Sequence, residues 1–193
     1  MDSREGMGNG RTERMRRWLE LFIGVLLKHE SFKEEVSGWD MEIFLMSAQL
    51  HDVGKIAVAD HLLNKSDTLT KDEYGELKTH ADFGLKVIQQ IKESIDDVIL
   101  LYHAEALAGS HHEKWDGTGY PQGLKGKEIP LQGRLMAIVD VYNAMTSDRP
   151  HRGMIFHKDA VDIIKSLKGT HFDPELVEVF LEHEKEFERV GDI

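Results

Sequence analysis

Histidine and aspartate residues recur in this sequence where an apolar helix is expected to end. His51 and Asp52 follow the apolar stretch of residues 41–50, and His111 and His112 follow a second apolar stretch. A buried carboxylate without a partner costs several kcal/mol or changes its pKa, whereas a bound cation removes that cost. Adjacent histidines on a helix point about 100° apart, so both can serve one centre only near a helix end. These pairs therefore point to metal chemistry.

Two further residues fit the same interpretation. His80 lies on the apolar side of its predicted helix, and Asp140 lies within the apolar stretch of residues 137–142. Taken alone, a core histidine or an isolated His-Asp pair is more often structural than functional. The combination of several such positions favours a site for a first-row transition metal such as Fe, Mn, Ni or Zn, because imidazole and carboxylate are ligands that suit these ions.

Composition limits the classes of protein that the chain can be. It has 193 residues, 11 His, no Cys and a formal net charge of −11. Without Cys there are no disulfides, zinc-thiolate sites or Cys nucleophiles. The acidic balance argues against a protein that binds duplex nucleic acid. No apolar stretch approaches the roughly 18 residues of a membrane span, and the first ten residues have no signal-peptide pattern, so we expect a cytoplasmic protein.

The elements that must position these residues are predicted to be helices. Apolar spacing of i, i+3, i+4, i+7 predicts a first helix from Met15 to Leu27, and Thr70 with Glu73 predicts a capping box. No segment alternates strictly between apolar and polar residues, so the predicted fold is all-α. Further helices are predicted over residues 41–50, 95–112, 134–146, 160–167 and 175–187. The long loop of residues 113–130 separates two of them, and such loops are usually functional or disordered.

The sequence motifs around these residues resemble those of the HD-GYP branch of the HD metal-dependent phosphohydrolases. The chain reads HDVGK at 51–55, KTHADFG at 78–84, HHEKWDGTGYPQGLKGKEIPL at 111–131 and DVYNAMTSDRPHR at 140–152. The resemblance extends from about residue 12 to about residue 181. It implies an HD-domain helical bundle with a long GYP loop, which is here residues 113–130. We predict a flexible N-terminal segment or linker remnant at 1–11 and an HD-GYP catalytic domain at 12–193.

The resemblance also implies roles for individual residues. It makes Asp52 the bridging carboxylate of a centre with two divalent transition-metal ions, and Lys55 the contact to the scissile phosphate. Gly119, Tyr120 and Pro121 form the GYP signature that shapes the substrate cleft. Arg149 and Arg152 would hold guanine or phosphate. The implied metal ligands are His51, Asp52, His80, His111, His112 and Asp140.

The chain departs from the family pattern in three places. His151 replaces the usual Tyr between the two arginines, and Asn143 stands where the family usually has a second Asp. Near the N-terminus the family commonly has ETGxHxxR, whose Glu and His bind metal. Depending on the alignment, Arg11 or Gly10 falls at that His position, so a third metal ion is not expected.

The activity implied by the resemblance is hydrolysis of cyclic di-GMP to linear pGpG, to GMP or to both, through a metal-activated hydroxide. Two alternatives stay open. One is a catalytically weak HD-GYP domain that binds a nucleotide or partner proteins, and the other is a phosphodiesterase for another cyclic dinucleotide. The partner classes considered are a receiver or sensor domain, GGDEF-type signalling proteins and a second copy of the chain. The sequence itself decides neither an upstream domain nor dimerisation.

Overall fold

The chain folds as an all-α bundle, as its helical periodicity predicts. The computed structural model describes residues 4–65, 67–94, 98–147 and 155–191, and these ranges contain no β-strand. None of the helices within them combines the length and the apolar character needed to cross a membrane. The helices are α1 (Arg4–Leu26), α2 (Lys33–Val36), α3 (Met41–Ala48), α4 (Asp60–Leu63), α5 (Lys71–Lys92), α6 (Val98–Ser110), α7 (Leu131–Thr146), α8 (His157–Ser166), α9 (Pro174–Glu182) and α10 (Glu184–Gly191), with 3-10 helices at Val53–Ala57 and Gly126–Glu128.

The main core lies where α1 packs against α3, α7, α9 and α10. Trp18 and Phe22 on α1 are almost fully buried. The indole nitrogen of Trp18 donates a hydrogen bond to the carbonyl oxygen of Phe187 at 2.8 Å. The Phe187 ring packs edge-on against Phe22 and Phe180, with centroids 5.3 Å and 4.8 Å apart. Such aromatic burial dominates core energetics, so these contacts fix α1 against the C-terminal helices.

Two predicted helix starts are confirmed by their caps. The Thr70 side chain accepts from the Glu73 amide at 3.3 Å, and the Glu73 side chain accepts from the Thr70 amide at 2.8 Å. Asp173 caps α9 by accepting from the Glu175 amide at 2.9 Å, with Pro174 in the first turn. These bonds satisfy amides that have no partner inside a helix.

The two ends of the chain differ from the helices expected from sequence. Helix α1 begins at Arg4 and so includes residues 4–11, which we predicted as flexible; the domain boundary at residue 12 stays a prediction. The helix expected over residues 175–187 is divided at His183, where φ is −118° and ψ is 16°. Beyond this break, α10 brings Phe187 into the core.

Helix α5 packs against α6 and against the 3-10 helix Val53–Ala57 that follows α3, and α6 also packs against α3. A small apolar cluster of Ile88, Leu101, Ala104 and Ala108 lies between α5 and α6. The Ser47 hydroxyl, near the end of α3, donates to a main-chain carbonyl of α6 at 2.9 Å. This packing places the turn after α3, the middle of α5 and the end of α6 beside one another, and each of these three places carries predicted metal ligands.

Candidate metal centre

Asp52 lies at the centre of a histidine cluster. Its Oδ2 lies 3.3 Å from Nε2 of His51. Its Oδ1 lies 3.4 Å from Nε2 of His80 and 3.7 Å from Nε2 of His111. One ligand atom each from Asp52, His80, His111 and His112 lies within 4.8 Å of the others. The structure therefore brings together four of the six predicted ligands in one group and places His51 beside it.

Main-chain carbonyls orient three of these histidines. The Nδ1 atoms of His51, His80 and His111 lie 2.8 Å, 2.6 Å and 2.8 Å from carbonyl oxygens one turn earlier in the chain. A carbonyl only accepts hydrogen bonds, so Nδ1 carries the proton, and Nε2 of the neutral ring presents a lone pair. Because Nε2 faces Asp52, the lone pairs point into the cluster. Metal-ligating histidines usually have this second hydrogen bond.

The pKa shifts keep most of the cluster in its ligating form. Burial lowers the pKa of His80, and burial with the nearby His111 and His80 lowers the pKa of His112 to about 2. Burial raises the pKa of Asp52, but His111, His51 and Lys55 outweigh it, and the pKa lies below its ordinary value. At pH 7 the Asp52 carboxylate is therefore ionised, and the rings of His80 and His112 are neutral.

His51 behaves differently from the other histidines. Burial lowers its pKa, but the hydrogen bond and the charge of Asp52 outweigh burial, so the pKa is raised above its usual value. A cation bound at Nε2 of His51 therefore competes with a proton for that nitrogen. Binding of a metal through His51 weakens as the pH falls through the raised pKa.

Unpaired buried atoms indicate that the donor set fits a metal ion. Oδ1 of Asp52 and Nε2 of His111 are buried and have no hydrogen-bond partner. The Nε2 atoms of His112 and His80 lie 3.2 Å apart, a distance at which His112 can donate a proton to His80 or both nitrogens can bind one cation. Buried polar groups are costly when they are unsatisfied. A divalent cation held by carboxylate and imidazole would satisfy all four atoms.

Asp140 adjoins the group from α7. It lines a cavity of about 250 Å³ together with His51, Asp52 and Lys55. It is not one of the four residues whose ligand atoms lie within 4.8 Å of one another. The assignment of all six residues as ligands stays a prediction, with Asp140 and His51 on the cavity side of the group.

Three of the predicted substrate-binding residues, Lys55, Gly119 and Tyr120, belong to the described part of the chain. Lys55 forms an ion pair with Oδ2 of Asp52, which makes it the countercharge of the central carboxylate. The Tyr120 ring stacks on His112 with centroids 4.8 Å apart and planes inclined by 29°. A Cβ at Gly119 would lie 2.3 Å from the Lys114 nitrogen, so the GYP loop packs against its own main chain there. Arg149 and Arg152, with His151, lie outside the described residues.

Glu113 anchors the GYP loop, a role that we did not predict although the residue follows the two histidines directly. Its buried carboxylate accepts from the amides of Gln122 and Gly123 at 2.7 Å and 3.0 Å, and from the amide of Leu124 at 3.1 Å. Carboxylates that receive several main-chain amides form strong, charge-assisted bonds. Glu113 therefore holds the loop that carries Tyr120 against the cluster.

We expect Glu113→Ala to lower the free energy of unfolding by about 3 kcal/mol, because it leaves three amides without their acceptor. The control is Glu128→Ala, since Glu128 is an exposed residue of the 3-10 helix in the same loop and accepts from one amide, that of Lys125, at 2.9 Å; its expected cost is below about 1 kcal/mol. Urea unfolding of both variants measures the difference. Equal losses would contradict the anchoring role.

Arg11 is a second residue that the sequence did not predict as functional. It lines the same cavity as Asp52 and Asp140. Arg11 lies four residues before the buried Met15, so the two side chains share one face if the first helix continues back to Arg11. This spacing is the signal in the sequence that could have predicted the longer helix.

Comparison with known proteins found a matching family model and several similar proteins. A family model described as HD domain matches residues 2–176. A cyclic di-GMP phosphodiesterase of Vibrio cholerae is 43% identical, and the alignment covers 76% of this chain and 30% of the length of that relative. A 3'3'-cGAMP-specific phosphodiesterase of the same organism is 38% identical, and the alignment covers 73% of this chain and 26% of the length of that relative. The chain thus spans less than a third of the length of these two relatives. A solved Vibrio cholerae structure, a cyclic GMP-AMP specific phosphodiesterase, shares the fold with a TM-score of 0.52 and 19% identity over 94% of this chain and 51% of that one.

Proposed function

The chain belongs to the HD domain family, and we propose that it hydrolyses a phosphodiester bond of cyclic di-GMP with two divalent metal ions at the Asp52 cluster. The observation that carries this proposal is the group of four donor atoms within 4.8 Å, in which buried atoms of Asp52 and His111 have no other partner. The name of the relative that is 43% identical supports the substrate.

In this proposal the protein holds the metal ions and the substrate but makes no covalent bond to either. The ligands are His51, Asp52, His80, His111, His112 and Asp140. Bound divalent ions, of Fe, Mn, Ni or Zn, would supply an activated water and positive charge at the phosphate. Asp52 has one oxygen toward His51 and the other toward His80 and His111, so it can serve both ions. Gly119 and Tyr120 form the wall of the substrate cleft beside His112.

Lys55 has a separate role in the proposal. Its ammonium group pairs with Oδ2 of Asp52, and a metal ion on that oxygen would compete for the same carboxylate. Lys55 lines the cavity and its side chain is 42% exposed, so it can turn toward a phosphoryl oxygen. A fixed cation there stabilises the charge that develops during in-line attack.

The test of this function is hydrolysis of cyclic di-GMP by the full chain, loaded anaerobically with Mn(II) or Fe(II). Separation of the products distinguishes pGpG from GMP. We expect turnover that disappears with a chelator and returns when the metal is added back. Absence of turnover in protein shown to contain metal would contradict the proposed activity.

Lys55→Ala is expected to lower kcat by about 100-fold with a smaller change in KM, because the contact strengthens only as charge develops on the phosphate. The control is Lys86→Ala, which removes an exposed lysine of α5 paired with Asp82. Arg149→Ala is expected to show the opposite pattern, with a raised KM. Steady-state kinetics at fixed metal content separates the two, and a raised KM with unchanged kcat in Lys55→Ala would be evidence against this role.

Assays on the same metal-loaded protein distinguish two other functions from hydrolysis of cyclic di-GMP. A relative named as specific for 3'3'-cGAMP is 38% identical, so the mixed dinucleotide is the second substrate to assay. A non-catalytic signalling module is favoured by the missing N-terminal metal ligand, because Arg11 or Gly10, depending on the alignment, stands where the family pattern commonly has a histidine. That module would bind a cyclic dinucleotide without hydrolysing it.

Location and partners stay predictions from the sequence. These predictions are a cytoplasmic location, a receiver or sensor domain, GGDEF-type partners and a homodimer.

A further inference from the structure

We propose that Arg11 binds a phosphate group of the substrate in the cavity beside the metal cluster. The inference rests on the proposed function, because it takes the ligand of this cavity to be a phosphodiester. It adds a residue of α1 to a substrate site whose predicted contacts all come from other segments of the chain.

The cavity that contains Arg11 is continuous with the cluster. Its volume is about 250 Å³. Arg11 and Lys55 supply positive side chains to its wall, and Asp52 and Asp140 supply negative ones. The wall consists of Arg11, Thr12, Met15, His51, Asp52, Lys55, Asp140 and Asn143. A phosphate in this cavity would therefore lie beside both Arg11 and the predicted metal ligands of its wall.

The Arg11 side chain forms no ion pair or hydrogen bond with the residues that the structure describes. Its Nε is buried without a hydrogen-bond partner, and no ion pair among the described residues includes Arg11. Arg14, Arg16 and Arg17 of α1 each make at least one polar contact, although Nε of Arg14 and Nη1 of Arg17 are also buried without a partner. Arg14 donates to the Ser147 hydroxyl at 2.9 Å, Arg16 to a Glu42 carboxylate at 3.1 Å and Arg17 to a Glu13 carboxylate at 3.4 Å. A buried donor without a partner is costly, and an anion in the cavity would remove this cost.

The main chain at Arg11 is attached to α7 by a short network of hydrogen bonds. The Asn143 amide donates to the Arg11 carbonyl at 3.4 Å, and the Asn143 oxygen accepts from the Ser147 hydroxyl at 2.9 Å. Ser147 in turn receives the bond from Arg14. These contacts tie α1 to the helix that carries Asp140, so Arg11 is held beside the cluster by the fold.

Electrostatics makes an arginine useful at this place. The net charge of −11 repels an anionic substrate, so binding requires local positive charge. Lys55 is paired with Asp52, whereas Arg11 has no carboxylate partner within residues 4–65, 67–94, 98–147 and 155–191. A guanidinium binds phosphate through two parallel hydrogen bonds, which a lysine cannot reproduce.

Binding of inorganic phosphate to the metal-loaded full chain, measured by calorimetry, tests the proposal without requiring hydrolysis. Arg11→Ala is expected to weaken phosphate binding by about 10-fold or more, since it removes charge-assisted hydrogen bonds to the anion. Arg11→Lys is expected to restore part of the loss. The control is Arg17→Ala, which removes the same charge from α1 but away from the cavity, and it should bind phosphate like the unchanged protein.

Metal content, measured by mass spectrometry, is expected to be the same in all four proteins. Unchanged phosphate affinity in Arg11→Ala would overturn the proposal, and so would a loss of metal from that variant, because Arg11 would then support the metal site. With cyclic di-GMP, Arg11→Ala should raise KM by about 10-fold and leave kcat within about threefold. If the unchanged protein hydrolyses no cyclic dinucleotide, the proposed activity fails, while the phosphate titration still decides the role of Arg11.

Discussion

Asp52→Ala is expected to remove both the bound metal and the phosphodiesterase activity. Asp52 is the one carboxylate in the group of four, and each of its oxygens faces histidine nitrogens at 3.3–3.7 Å. Its loss leaves neutral imidazoles that carry no charge to balance a divalent ion. We expect metal content to fall from about two ions per chain to near none, and kcat/KM to fall by at least about 1,000-fold, beyond the roughly 10–100-fold of residues that only orient ligands.

Two measurements keep this prediction separate from a loss of folding. Circular dichroism and thermal unfolding of the chelated proteins should be similar for Asp52→Ala and the unchanged chain, because Lys55 and His51 are the partners that Asp52 leaves behind and Lys55 is part-exposed. The control is Asp82→Ala, which removes an exposed carboxylate of α5 paired with Lys86. Retention of two ions by Asp52→Ala would show that Asp52 does not bridge them.

The grouping of the cluster could be predicted because its residues carry local signals. His51 and Asp52 directly follow an apolar helix, and His111 and His112 follow another, so their positions depend on where two helices end. The helices do end there, at Ala48 and Ser110. The resemblance to HD-GYP proteins then relates these helix ends to one centre, a relation that helical periodicity alone does not specify.

The features that were missed depend on packing between distant segments. Glycines at positions 6, 8 and 10 each disfavour a helix by about 1 kcal/mol, and this local preference predicts a flexible segment at 1–11. Helix α1 nevertheless begins at Arg4, and the hydrogen bond from the Asn143 amide of α7 to the Arg11 carbonyl holds Arg11 at the cavity. The break at His183 has no Gly or Pro beside it. It coincides with the inward turn of Phe187, which contacts residues far away in the sequence.

Close contact between two main-chain segments sets the geometry of the cluster. Gly54 lies two residues after Asp52, and Gly84 lies four residues after His80. A Cβ at Gly54 would lie 1.9 Å from the carbonyl oxygen of His80 and 2.5 Å from the nitrogen of Gly84. These are backbone atoms of α5, which cannot rotate away as the end of a flexible side chain can. The absence of a side chain at Gly54 is therefore what allows Asp52 to approach His80.

Gly54→Ala is expected to separate the Asp52 turn from α5 by more than about 1 Å, since non-bonded carbon atoms pack at roughly 3.5–4.0 Å. Overpacking of this kind costs about 1–3 kcal/mol, and here we expect the upper end because both partners are backbone. The same movement separates Asp52 from His80, so metal affinity and activity should fall by at least about 100-fold. Metal titration and urea unfolding of the chelated protein measure the two effects independently.

Gly75→Ala is the matched control, because it makes the same substitution in the first part of α5. Gly75 is exposed, and a Cβ there would meet no atom within 4 Å. Replacing a helical glycine by alanine stabilises a helix by about 0.5–1 kcal/mol, so Gly75→Ala should unfold at a higher urea concentration and bind metal as before. If Gly54→Ala bound metal like Gly75→Ala, the contact between the Asp52 turn and α5 would not set the metal site. Loss of metal in Gly54→Ala alone would show that backbone packing at this glycine, as well as the ligand side chains, determines the geometry of the centre.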